Sequence, residues 1–143
     1  MSEIVVDASA ALGWVLATQQ TGAARAFIVQ RRADRFIAPH VFPWEIANVL
    51  NRFQRRGLLT SDGYDQAVDD LKALEIEVIA PQSVDEVFGL GRRAGPLGLR
   101  PFDMAYLALA VARGCNLASR DAGLLGVASR YVDCFDLRGD QLA

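Results

Sequence analysis

The sequence predicts an α/β domain in which a mainly parallel sheet is covered by helices on both faces. Three observations predict it. Short apolar runs, Ile4-Val5-Val6 first among them, alternate with longer stretches in which apolar residues recur at helical spacing. The runs are continuously apolar rather than alternating, as strands buried on both faces are. Pro, Gly and small polar residues punctuate the boundaries between the two kinds of segment. Strands that alternate with helices need crossover connections, and those make a parallel sheet.

Ile4-Val5-Val6 is the first strand, and residues 8–17 and 22–32 are helical, the second helix gathering Ala24, Phe27 and Ile28 on one side. Phe36-Ile37-Ala38 is a strand stopped by Pro39. A helix over 43–56 carries Pro43 in its first turn, where a missing N–H costs nothing. Its residues Ile46, Val49, Leu50 and Phe53 form one apolar stripe, and Gly57 ends it. The helix over 61–74 turns Tyr64, Ala67, Val68 and Leu71 inward. Residues 77–80 form the third strand, closed by Pro81. Ser83-Val84-Asp85-Glu86 has the spacing of a capping box and opens a helix ending near Arg93. A Gly/Pro-rich connection over 94–100 leads into a helix over 101–113, with Gly114 as its stop. Asn116-Leu117-Ala118-Ser119 is the fourth strand, 121–128 a short helix, and 131–135 an edge strand. Paired helices between some strands depart from a strict βαβ array.

The 143 residues are expected to form one domain, and an apolar content of 52% is ample for its core. A net charge of −2 is too mild for a disordered acidic tail or a strongly basic nucleic-acid binder, though a local basic patch is compatible with it. Lys72 is the only lysine, so nearly all positive charge is arginine. Cys115 and Cys134 lack metal-ligand spacing and read as small buried residues. The N-terminus has no basic segment leading into an apolar one, and the longest apolar stretch, 106–112, is too short to span a bilayer. A cytoplasmic protein without membrane contact is expected.

In a parallel sheet the strand C-termini share an edge with the N-termini of the helices that run back. Asp7 ends strand one, Glu45 and Asp103 lie in the first turns of two returning helices, and Asp121 follows strand four. All four should therefore meet at one edge, where open α/β sheets bind ligands. Each has a structural alternative: a carboxylate near a helix N-terminus suits the macrodipole or caps the helix. Four acids together repel one another, and a divalent cation removes that cost. A carboxylate set without Cys or His suits Mg²⁺ or Mn²⁺. Asn48, one turn after Glu45, is a candidate to orient a carboxylate or a metal-bound water. Ser9 and Ser119, each two residues from an acid, are candidates to bond that acid or a phosphate.

At these residues the chain resembles the PIN domain family, and within it the VapC toxins of toxin–antitoxin modules. The resemblance is carried by Val5-Val6-Asp7-Ala8-Ser9-Ala10, Pro43-Trp44-Glu45-Ile46-Ala47-Asn48-Val49-Leu50, Phe102-Asp103-Met104-Ala105-Tyr106-Leu107-Ala108-Leu109-Ala110 and Leu117-Ala118-Ser119-Arg120-Asp121-Ala122-Gly123-Leu124-Leu125. Four segments in the right order are specific where any one is weak, and together they cover nearly the whole chain. Met104, where the family usually has a small residue, is a mild departure.

The resemblance implies an α/β/α sandwich of strand order 3-2-1-4-5 and a metal-dependent ribonuclease. It places Asp7, Glu45 and Asp103 as the three core acids, Asp121 as the more variable fourth, and Ser9 and Ser119 at hydroxyl positions. It also implies a homodimer and a cognate VapB-type antitoxin. The reaction expected is metal-assisted attack of water on an RNA phosphodiester, leaving a 5′-phosphate and a 3′-hydroxyl. His40 is the only histidine, which disfavours a His-pair mechanism. Arg92, Arg93, Arg100 and Arg120 are the RNA-contact candidates nearest the acidic edge. Alternatives are a PIN ribonuclease of RNA processing, a PIN-like binding module without catalysis, and a receiver-type phosphoryl domain. The last is disfavoured because Lys72 lies mid-helix.

Overall fold

The computed structural model describes residues 2–139. In chain order it contains β1 (Glu3–Val6), α1 (Ala8–Val15), a 3-10 turn (Ala17–Gln19), α2 (Gly22–Gln30), β2 (Arg35–Pro39), α3 (Val41–Arg55), α4 (Ser61–Ala73) and β3 (Glu77–Ile79). There follow α5 (Val84–Ala94), a second 3-10 turn (Gly95–Leu97), α6 (Pro101–Arg113), β4 (Asn116–Ser119), α7 (Ala122–Ala128) and β5 (Cys134–Asp136). The sheet order is β3-β2-β1-β4-β5, and every pairing is parallel. The predicted architecture and order are both present.

The central strands are apolar because they are covered twice. Val5 stands opposite Ile37 of β2 and Leu117 of β4, and all three are fully buried. Helices α1 to α4 pack on one another, and α5 packs on α6, which lies against β1, β2 and β4. Right-handed crossovers put these two groups on opposite faces, since the chain moves outward through β2 to β3 and then returns to β4. Trp14, Phe27 and Phe36 stack with centroids 5.5 to 6.1 Å apart and lock α1 and α2 onto β2. The reversal of direction falls between β1 and β4, so a crevice opens beyond their carboxyl ends.

Three boundaries differ from expectation. Helix α3 starts at Val41, because His40 leaves β2 directly in an αR conformation (φ −68°, ψ −10°). Pro43 is then the third helical residue, still among the positions whose amide has no helical acceptor. Glu45 accordingly lies in the second turn, not the first. Helix α1 stops at Val15, because Leu16 turns extended (φ −112°, ψ 119°). The last strand begins at Cys134, because the amides of Tyr131 and Val132 still bond back to Ala128 at 2.9 and 3.0 Å. Gly114 stops α6 as expected, in the left-handed region (φ 60°) where glycine carries no Cβ penalty. Ser83 caps α5 through the Glu86 amide at 3.2 Å, while the Glu86 carboxylate reaches back to the Gln82 amide at 2.6 Å. Cys115 and Cys134 are free thiols and half-buried rather than fully buried. Among the described residues no helix is long and apolar enough to cross a membrane.

Candidate active site

Asp7 is the N-cap of α1 and only 5% exposed. Its Oδ1 accepts hydrogen bonds from the Ala10 amide at 2.8 Å and the Ser9 hydroxyl at 2.7 Å. Its Oδ2 accepts from the fully buried Ser119 hydroxyl at 2.5 Å. The two serines also accept: Ser9 Oγ from the Arg120 amide at 2.8 Å, and Ser119 Oγ from the Asp121 amide at 2.9 Å. Asp7 is thus tied to the ends of both central strands, and its backbone N–H extends the ladder to Ala118. Burial pushes its carboxyl up from 3.8 to about 6, with the Ser119, Ala10 and Ser9 hydrogen bonds opposing the rise and the Glu45 charge adding to it.

Asp121 caps α7, its Oδ2 accepting from the Leu124 amide at 3.1 Å. Asp103 lies in the first turn of α6, largely buried, and pairs with the two-thirds-exposed Arg100 guanidinium at 3.1 Å. Glu45 is half-buried, and its Oε1 accepts from the Tyr106 hydroxyl at 2.7 Å. Its carboxyl is pushed up, first by burial; the Tyr106 hydrogen bond opposes this, Asp103 and Asp121 raise it further, and Arg100 lowers it. Every one of the four acids therefore acts electrostatically on at least one other across the crevice mouth. They share the one edge that chain direction requires of them.

The donor set matches a hard divalent cation: carboxylate oxygens only, with Glu45 Oε2 and Asp121 Oδ1 making no hydrogen bond among the described residues. As placed, no three Asp, Glu, His or Cys side chains among the described residues form a closed ligand shell. Arg100 is the nearby positive charge that offsets Glu45, Asp103 and Asp121.

Two residues not singled out from sequence belong to this edge. Tyr106 sits one turn after Asp103, 2% exposed, and does for Glu45 what Asn48 was expected to do. Asn48 is exposed and brought to no carboxylate among the described residues. The clue was a lone hydroxyl in the apolar run 104–110, three residues after an acid and so on the same helix face. Trp44, 73% exposed, and Phe102, half exposed, immediately precede Glu45 and Asp103 and present free aromatic surface beside them.

The arginines separate into two kinds. Arg92 and Arg93 are exposed in the last turn of α5, and Arg100 is at the acids. Arg120 is half-buried: its Nε donates to the Ser9 carbonyl at 2.6 Å and its Nη2 to Gln19 at 3.2 Å. It lies so close to Gly13 that a Cβ there would stand 2.9 Å from Nε. Arg120 therefore fastens β4 to α1 and the following turn. Arg120→Ala is expected to cost about 1–2 kcal/mol in urea unfolding, the usual cost of unmade buried hydrogen bonds. It should leave the salt dependence of RNA affinity unchanged, unlike substitution of an arginine that meets phosphate.

A family model described as the PIN domain matches residues 4–129. Ribonuclease VapC9 of Mycobacterium tuberculosis is 36% identical over 123 residues, covering 85% of this chain and 87% of that protein. VapC ribonuclease Mb0985 of Mycobacterium bovis aligns with the same identity and coverage. Among solved structures, PAE2754 from Pyrobaculum aerophilum superposes with a TM-score of 0.66 over 94% of this chain and 84% of that one, at 23% identity, a likeness of fold.

Proposed function

The chain belongs to the PIN domain family and is homologous to VapC ribonucleases, and on that premise we propose that it is a divalent-metal-dependent endoribonuclease, the toxin of a toxin–antitoxin module. The observation that carries the reading is the electrostatically coupled set of Asp7, Glu45, Asp103 and Asp121, delivered by separate elements to the switch point between β1 and β4. Those four would hold Mg²⁺ or Mn²⁺. A cation bound there supplies charge neutralisation to a phosphodiester oxygen and lowers the pKa of water.

The chain's own residues do the rest. Asp7 is immobilised by three hydrogen bonds and the helix it caps. Glu45, oriented through Tyr106 and with one oxygen unbonded, is placed to receive a proton from attacking water. Arg100 is exposed enough to exchange its pairing with Asp103 for a phosphate as RNA enters. Arg92 and Arg93 are further candidates for the flanking phosphates, and the faces of Trp44 and Phe102 for stacking bases. Ser9 and Ser119 serve the site through Asp7. The expected products carry a 5′-phosphate and a 3′-hydroxyl.

EDTA should abolish cleavage and added Mg²⁺ or Mn²⁺ restore it; cleavage undiminished in EDTA would end the metal reading. Mapping RNA ends after pulsed expression, wild type beside Asp7→Asn, identifies the RNA and its end chemistry. The partner proposed is a VapB-type antitoxin with an apolar segment. An apolar groove of about 800 Å³, lined in part by Val87, Leu90, Phe102, Ala105 and Val111, is large enough to seat one. Co-purification after co-expression of the two genes tests it, and recovery of the chain alone under native expression would count against it.

A further inference from the structure

Helix α5 presents an outer face that nothing covers. Phe88 is 70% exposed and Val84 66%, one turn apart on the same side, opposite the buried Leu90 and Ala94. Large apolar side chains this exposed and adjacent mark an interaction surface. Asp85 and Arg92 flank Phe88 on the same side of the helix. They are seven residues apart, two turns or about 10 Å along the axis. Neither makes an ion pair or hydrogen bond among the described residues, although the other arginine–carboxylate pairs of this surface do.

The order of these charges decides the occupant. Acid lies toward the N-terminus, base toward the C-terminus, and Phe88 lies midway. Rotating the helix by a two-fold axis through its centre superposes the acid of one copy on the base of the other. The pattern is complementary to itself, as an isologous contact requires. Residues equidistant from the centre meet: Asp85 faces Arg92 of the second copy, and Phe88 faces Gly89, whose missing side chain leaves open space around its Cα. Antiparallel helices also oppose their macrodipoles.

We infer that α5 is the self-association face of this protein, pairing antiparallel with α5 of a second copy through Phe88 packed over Gly89 and two symmetric Asp85–Arg92 ion pairs. The face stands apart from the four acids, so the inference is independent of the ribonuclease reading. Arg92 is then committed to the second copy, which leaves Arg93 and Arg100 for RNA.

Sedimentation equilibrium of the full chain tests it, with circular dichroism confirming that each surface variant folds. The wild type should be a dimer and Phe88→Glu a monomer. Asp85→Arg and Arg92→Asp should each weaken self-association by about tenfold or more, because two like-charge contacts replace two attractive ones. The double reversal, Asp85→Arg with Arg92→Asp, should restore it. A monomeric wild type, or a dimer indifferent to Phe88→Glu, overturns the face. A double reversal no tighter than the single variants overturns the antiparallel register. RNA cleavage retained by a monomeric variant would leave the enzyme reading intact while the dimer reading is judged on its own.

Discussion

Asp7→Asn is expected to abolish RNA cleavage and, in the absence of metal, to make the protein more stable at neutral pH. The loss follows from removing a buried carboxylate at the centre of the acidic set; a metal contributes several kcal/mol of charge stabilisation, so a fall of at least about 10³-fold is expected. The gain follows from burial. The carboxyl of Asp7 is raised from 3.8 to about 6, so the folded state binds its proton more tightly than the unfolded chain does. That favourable contribution is complete below the ordinary value of 3.8 and is lost as the pH rises through about 6. Above that range the charged carboxylate costs the fold about 3 kcal/mol by linkage.

Asn is uncharged, keeps the N-cap acceptor for the Ala10 amide, and can donate to the Ser119 hydroxyl, which rotates to accept. Urea unfolding in EDTA should therefore show wild type and variant diverging as the pH is raised through this range, with the variant the more stable at neutral pH. Adding Mg²⁺ should stabilise only the wild type. A variant no more stable than wild type at neutral pH would mean that the hydrogen bonds to Asp7 outweigh its desolvation.

Tyr106→Phe is expected to lower kcat/KM by about tenfold to a hundredfold, the usual effect of removing a group that orients a metal-site carboxylate. The packing is retained, because only the hydroxyl is lost, and Glu45 is exposed enough to hydrate. Stability should therefore fall by only about 1 kcal/mol. The pH profile distinguishes positioning from packing. Burial and the charge of Glu45 hold the Tyr106 phenol well above its ordinary range, so it remains a donor to Glu45. That hydrogen bond pulls down a Glu45 carboxyl that burial raises. Without it the carboxyl rises further, and the acid limb of the rate profile should move to higher pH. An unshifted limb with unchanged kcat/KM would reduce Tyr106 to a core residue.

Much of this was legible in the residues themselves. The apolar runs of β1 and β4 follow from double-sided burial, and Asp7 and Asp121 lie where those runs end because carboxylates cannot continue a buried strand. The i, i+3, i+4 stripe of Ile46, Val49 and Leu50 identified α3 but not its start, since the αR turn at His40 leaves no compositional trace. Hydroxyls two residues from an acid were ambiguous between capping and bonding. Ser9 and Ser119 do the second, joining strands more than a hundred residues apart in sequence. Arg120 and Arg100 carry the same guanidinium and were indistinguishable by type; one is pinned on a backbone carbonyl and the other stands over a carboxylate. Asn48 and Tyr106 exchanged roles because reach across to Glu45 depends on how α3 and α6 approach the sheet edge.

By itself the sequence determined the kind of sheet, the edge on which Asp7, Glu45, Asp103 and Asp121 had to gather, and the hard-oxygen chemistry they offer. Those follow from periodicity and chain direction, which are local properties. Only the tertiary structure decided which polar groups hold the acids, how strongly burial and mutual repulsion raise Asp7 and Glu45, and which arginine stays available. It also left Phe88 exposed between Asp85 and Arg92 on the outer face of α5. Desolvation, hydrogen bonding and exposure depend on what the other helices cover, and no single segment of the chain contains that information.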